Sequence, residues 1–197
     1  LALTAPGDVI LAEPASYPGL RAAAAQFGRR ILAVQADRQG MVPEMLEQAC
    51  REHRPALVYL NPTLQNPTAI TMSEGRRKQL ASVARRCQVR IVEDDPYWLL
   101  ADAPPPPIAA FAPQQVYYIS TLSKCLTPGL RVAFVLMRDP HERQRFLVAL
   151  RSFALMATPV TAALATQWIL DGSAGQLMDG VRKEARLRHR MARDILA

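Results

Sequence analysis

With 197 residues, half of them hydrophobic, the chain has the material for one well-packed soluble domain. Its formal charge of +7 is spread over helical stretches such as Arg76-Arg77-Lys78, Arg85-Arg86 and the Arg182 to Arg193 series, which reads as solvated helix faces rather than a nucleic-acid footprint. No apolar run approaches the roughly 20 residues that span a bilayer, the start has no basic-flanked leader, and Cys50, Cys87 and Cys125 are an odd number without metal-ligand spacing, so neither a membrane span, a disulfide framework nor a metal site is expected and a cytoplasmic setting fits.

In chain order, short apolar runs alternate with longer amphipathic ones. Asp8–Ala12 predicts a strand, Tyr17–Phe27 a helix, Arg30–Gln35 a strand, and Pro43–His53 a helix with proline in its first turn. Ala56–Asn61 is the next strand, followed by a helix over Ser73–Cys87 with Ser73 as its N-cap. Val89–Glu93, Val116–Ser120 and Val132–Met137 predict further strands, and helical patterns follow Pro140. Pro104–Pro107 suits neither a ladder nor a helix interior and predicts a stiff surface connection. Strands flanked by helices imply an α/β fold, a three-layer sandwich whose mostly parallel sheet is covered on both faces. The first residues read as the tail of a helix entering the turn Ala5-Pro6-Gly7-Asp8, and Ala174–Ala197 as a long amphipathic helix without a stop signal, so both ends are expected to be cut from a longer chain.

Ligands of open parallel sheets bind beyond the carboxyl ends of the strands. Three strand ends here carry complementary groups: Asn61-Pro62-Thr63-Leu64-Gln65-Asn66-Pro67-Thr68, then Glu93-Asp94-Asp95-Pro96-Tyr97, then Thr121-Leu122-Ser123-Lys124, with Pro128-Gly129-Leu130-Arg131 following. A lysine can form a Schiff base with an aldehyde, hydroxyls and an arginine can grip a phosphate, and a carboxylate can face a pyridine nitrogen. Those are the needs of pyridoxal 5'-phosphate. Taken singly, each residue has an ordinary reading: Asn66 as a turn, Asp94 or Asp95 as a strand-end cap, Tyr17 as a core aromatic, Lys124 as a surface cation. Their convergence at consecutive strand ends is what marks a site.

Asn66-Pro67-Thr68, Asp94-x-x-Tyr97 and Ser123-Lys124 followed by Pro128-Gly129-Leu130-Arg131 resemble, in order, the motif set of class I/II aminotransferases, the fold-type-I pyridoxal phosphate enzymes. The phrases around Gln65–Thr68, Glu93–Tyr97 and Lys124–Arg131 are most similar to the aminotransferase-like domain of MocR-type regulators in the GntR superfamily, where that domain follows a winged helix-turn-helix. The resemblance implies that residues 1–197 are part of the large, cofactor-binding domain, with 174–197 beginning the helix that leads to a small domain. It makes Lys124 the Schiff-base lysine and proton carrier, Asp94 the partner of the pyridinium nitrogen, and Asn66 and Tyr97 the donors to the phenolic oxygen. Arg131, Thr121 and Ser123 would hold the phosphate, and Tyr17 would stack on the ring.

The activity so implied is amino-group transfer between an amino acid and a 2-oxo acid. The alternative is a regulator domain that senses an amine effector or the cofactor and reaches DNA only through a domain absent from this chain. A homodimer with cofactor sites at the subunit interface is implied in either case. Ala69 departs from the glycine that commonly follows Asn-Pro-Thr. The family's phosphate-binding turn falls upstream of Leu1 and its substrate-carboxylate arginine beyond Ala197, so the 197 residues alone are expected to be catalytically incomplete.

Overall fold

Helix starts are written into the sequence by proline and by short polar caps, and the computed structural model, which describes residues 2–196, follows them. The elements are β1 (Val9–Ala12), α1 (Pro18–Gln26), β2 (Arg30–Ala33), β3 (Ala36–Asp37), β4 (Gly40–Met41), α2 (Pro43–His53), β5 (Leu57–Leu60), α3 (Glu74–Cys87) and β6 (Arg90–Asp94). They continue with α4 (Ile108–Phe111), β7 (Val116–Thr121), α5 (Leu122–Cys125), β8 (Ala133–Leu136), α6 (Pro140–Ala154), α7 (Pro159–Leu170) and α8 (Ser173–Leu196). Helices α1, α2, α6 and α7 each carry proline in the first turn, where its missing N–H is no loss. Ser73 caps α3 by accepting from the Arg76 amide at 3.3 Å, and Asp139 caps α6 by accepting from the His141 and Glu142 amides.

Six strands form one sheet in the order β2-β1-β5-β6-β7-β8, with all neighbours parallel except β7 and β8. The connection through Leu122–Val132 is too short for a crossover that would return β8 parallel, so that strand runs back against its neighbour. Alternation along the strands sends Leu11, Val58, Leu60 and Ile91 to one face, under Leu46 of α2, Leu80 and Val83 of α3 and Ile108 of α4. Ile10, Leu57 and Tyr59 go to the other face with Leu20 of α1. Each fully buried aliphatic side chain of this kind contributes about 1.5–3 kcal/mol. A third cluster joins Leu122, Cys125, Leu130 and Val132 to Ala165 and Trp168 of α7 and Met178 of α8. The result is an α/β fold with helices on both faces of a mostly parallel sheet.

Differences from the sequence expectation are local. Ala2–Ala5 is not helical; the Asp8 carboxylate instead accepts from the Ala5 amide at 2.8 Å and closes the turn. Leu1 and Ala197, the outermost residues of the two expected terminal helices, lie outside the described residues. The β3–β4 hairpin and the short helices α4 and α5 carry too few residues to show a period. Pro104–Pro107 has no regular structure, as its composition demands. No helix among the described residues is long and apolar enough to cross a membrane.

Candidate functional site

The period of two along β6, continued into the next residue, sorts three consecutive carboxylates. Glu93 and Asp95 share the face of Ile91 and are fully buried, whereas Asp94 lies on the other face, half-buried, at the carboxyl end of the strand. On the adjoining strand β5, Tyr59 occupies the same face as Asp94 and its hydroxyl donates to Asp94 Oδ2 at 2.5 Å. Burial raises the Asp94 carboxyl above its ordinary pKa, and the Tyr59 hydrogen bond works against that rise. Burial and the nearby Asp94 charge also push the Tyr59 hydroxyl up, so it remains a donor.

Two residues beyond Tyr59, Asn61 couples two of the motif segments. Its Nδ2 donates to the Asp94 carbonyl at 2.6 Å, and its Oδ1 accepts from the Asn66 amide at 2.8 Å. The loop then turns tightly. Gln65 N donates to Ile70 O at 2.8 Å and Met72 N to Pro62 O at 2.8 Å, with a cis peptide between Asn66 and Pro67. Ala69, at the position where glycine is common, adopts φ 58°, the left-handed region a glycine enters freely; its amide bonds Gln65 O at 2.6 Å, so the loop closes despite the Cβ.

Gln65 is buried and binds both sides of this loop: its Oε1 accepts from the Thr68 amide and hydroxyl, and its Nε2 donates to Ala15 O at 2.6 Å and Glu13 Oε2 at 3.4 Å. Ala15 precedes Tyr17, so the loop carrying Asn66 and the segment carrying Tyr17 are held together. Tyr17 is exposed at the mouth of the cleft, immediately before α1. A Cβ on Gly19 would overlap the Tyr17 ring, so glycine is what lets the ring fold back over the start of the helix.

At the end of β7, Thr121 caps the single turn α5, accepting from the Ser123 amide at 3.2 Å. Its hydroxyl also donates to Val132 O at 3.1 Å and lies 3.1 Å from the Ser123 hydroxyl. Lys124 stands within this turn rather than on the strand itself and is exposed to the cleft. Arg131 follows the Pro128–Leu130 turn at φ 51°, a left-handed conformation that non-glycine residues adopt at a cost and that clusters at functional positions.

These segments enclose a cleft of about 270 Å³ beyond the carboxyl ends of β5, β6 and β7. All eight residues expected from the sequence line it: Tyr17, Asn66, Asp94 and Tyr97 from the earlier segments, Thr121, Ser123, Lys124 and Arg131 from the stretch that follows β7. Tyr59 and Asn61 line it too and were not foreseen. Their signal was present in the alternation Leu57, Tyr59, Asn61, which puts all three on the face of the cleft. A separate cavity of about 290 Å³, walled by Trp98, Pro107, Val116, Tyr118 and Leu136, is mostly apolar and brings no carboxylate or amine together, so the chemistry belongs to the first cleft.

The profile of the family described as aminotransferase class I and II matches residues 1–197. An uncharacterized HTH-type transcriptional regulator of Bacillus subtilis, YdeF, is 32% identical over 195 residues, 99% of this chain and 42% of the relative. The crystal structure of the multiple substrate aminotransferase from Thermococcus profundus superposes with a TM-score of 0.88 at 30% identity, over 95% of this chain and 48% of that one. LysN, the alpha-aminoadipate aminotransferase of Thermus thermophilus, complexed with N-(5'-phosphopyridoxyl)-L-leucine, gives 0.84 at 30% identity over 92% and 48%. The chain therefore spans about half the length of these relatives. Matched from end to end by the family profile and carrying the family's fold, the chain belongs to the class I and II aminotransferases.

Proposed function

We propose that the cleft binds pyridoxal phosphate and that the whole protein transfers amino groups between an amino acid and a 2-oxo acid. The observation that carries this reading is the convergence of an amine, a half-buried carboxylate, paired hydroxyls and a guanidinium on one cleft. The donor set fits the group. Lys124 is the amine able to condense with its aldehyde, Asp94 the carboxylate for its ring nitrogen, Asn66 and Tyr97 the donors for its phenolic oxygen. Thr121, Ser123 and Arg131, which line the same cleft, supply the hydroxyls and guanidinium that phosphate binding needs, and Tyr17 at the mouth can cover the ring face.

When bound, pyridoxal phosphate supplies an electron sink for the bond broken at the substrate carbon. The chain's own residues do the rest. Asp94, kept a hydrogen-bond acceptor by the Tyr59 hydroxyl, holds a proton on the ring nitrogen. Lys124, once its amine is free, takes and returns the substrate proton at its Nζ. Asn61 keeps Asn66 and the end of β6 in register, so the donors on both segments meet one ring.

We read residues 1–197 as large-domain sequence, with α8 leading toward a small domain that supplies the substrate-carboxylate contact. We read the protein as a cytoplasmic homodimer, a setting that suits the free thiols of Cys50, Cys87 and Cys125. A second reading is favoured by one finding: nearly the whole chain aligns with part of an HTH-type regulator. In that reading the same cleft senses an amine effector or the cofactor for a DNA-binding domain elsewhere in the protein.

Borohydride reduction of the full-length protein mixed with pyridoxal phosphate, followed by peptide mapping, tests the cofactor reading. The reduced pyridoxyl group should sit on Lys124. Label on Lys183 instead, or no label, would sink it. Turnover of an amino acid with a 2-oxo acid separates the enzyme from the sensor, which would show amine-dependent DNA binding without turnover.

A further inference from the structure

Arg77, on α3, is the largest of the fully buried side chains, and it does not line the cleft. Its Nε and Nη2 are nevertheless directed at the loop that carries Asn66. Nε donates to Met72 O at 3.1 Å, and Nη2 donates to Pro62 O at 3.1 Å and Thr63 Oγ1 at 3.0 Å, so the guanidinium holds both ends of the loop that carries Asn66. Nη1 donates to Pro106 O at 3.4 Å and stands 3.9 Å from Glu93 Oε1. Thr63 passes the link on, its hydroxyl donating to Asp95 Oδ2 at 3.0 Å. Glu93 in turn accepts from the Ile108 and Ala109 amides at 2.8 Å each, anchoring the segment that follows the prolines.

The two carboxylates that flank Asp94 in sequence are thus tied to the loop that carries Asn66, Asp95 directly by the Thr63 hydroxyl and Glu93 through Arg77. Burial strips both of water, and Arg77 is the cation whose field acts on each of them. On the cleft side the same two segments are joined by Asn61. Loop and strand end are therefore clamped from above and below, the lower clamp being Arg77 together with the Thr63–Asp95 bond it supports.

We propose that Arg77 is a positioning residue of the site, setting the spacing between Asn66 and Asp94 from the opposite face of the sheet. It touches neither substrate nor cofactor. The ligand readout of this proposal rests on the pyridoxal phosphate reading; the mechanical readout does not.

The test uses full-length protein carrying Arg77→Lys, which keeps the charge and loses the planar fork, and a second variant, Arg77→Met with Asp95→Asn, which lowers the buried charge if the first fails to fold. Amide hydrogen exchange is measured on cofactor-free protein, and pyridoxal phosphate binding by absorbance titration. Peptides covering residues 61–73 and 93–109 should exchange at least about tenfold faster than wild type, with β1 and β2 unchanged, and the dissociation constant should rise about tenfold. Faster exchange spread evenly over the fold, or none in those two segments, would overturn the proposal, as would a folded variant that binds the cofactor with the wild-type constant. A wild type that takes up no cofactor while the variant shows the local exchange pattern would count against the cofactor reading and leave the clamp standing.

Discussion

The Tyr59 hydroxyl and the Asp94 carboxylate meet across adjoining parallel strands at 2.5 Å, and this one bond opposes the rise that burial imposes on a half-buried acid. Burial favours the neutral acid; the phenol favours the carboxylate.

Tyr59→Phe removes the donor and nothing else of the ring's packing against Ile10 and Leu57. A hydrogen bond to a charged group contributes about 1.5–3 kcal/mol, so the Asp94 pKa should climb further. Pyridoxal phosphate affinity should fall about tenfold or more at neutral pH, and the thermal midpoint by several degrees. Unchanged affinity by absorbance titration would show that Asp94 does not depend on Tyr59.

Asp94 and Asp95 are neighbours with opposite duties, and their variants should fail differently. Asp94→Ala should abolish transamination and weaken cofactor binding with little effect on folding, since its carboxylate faces the cleft. Asp95→Ala empties a fully buried position, removes the acceptor of the Thr63 hydroxyl and leaves Arg77 with less opposing charge, so it should cost about 1–3 kcal/mol of stability and be milder on chemistry. Denaturation curves set beside cofactor titrations read both effects. The reverse ranking would reassign the ring-nitrogen partner.

Much of this was legible in the residues. Period two sent Asp94 and Asp95 to opposite faces, and Pro43 and Ser73 marked helix starts that the structure bears out. Most of the candidate residues came together because they follow the carboxyl ends of parallel strands, where the topology leaves a crevice, while Arg131 enters it from the turn before the antiparallel β8. What escaped was partnership across long separations. Nothing local to Arg77 distinguishes it from Arg76, half-buried against Asp37 and the β4 carbonyls, or from Lys78, exposed and paired with Glu74. Only the rotation of α3 against the sheet turns that one guanidinium inward. Tyr59 read as a strand residue for the same reason: its partner is 35 positions away.

Glu13 should make stability fall as pH rises from about 5 to 8. Burial is the main cause that lifts its pKa to about 7 from 4.5, outweighing hydrogen bonds from the Met41 backbone and Gln65. Its folded pKa lies above its unfolded one, so between those values the native state binds more protons than the unfolded chain. The stability it contributes is complete below about 4.5 and is lost as pH rises through about 7. Glu13→Gln should remove about 2 kcal/mol of that decline, measured by urea denaturation at the two pH values. Parallel curves for variant and wild type would mean that Glu13 titrates normally.

Gly19 offers a substitution whose two effects should have opposite signs. Alanine is the better helix former by about 0.5–1 kcal/mol, and at this position in the first turn of α1 no backbone conformation forbids it. The added Cβ, however, would occupy the space now held by the Tyr17 ring, and the exposed end of that side chain is what can move. Gly19→Ala should therefore leave the thermal midpoint equal or slightly higher while swinging Tyr17 away from the mouth of the cleft, with pyridoxal phosphate binding several-fold weaker. Tyr17→Ala should weaken binding to a similar degree, and the double variant should add little to either, because both act through the same ring. Additive losses in the double variant would mean that Gly19 affects the cleft by some route other than Tyr17.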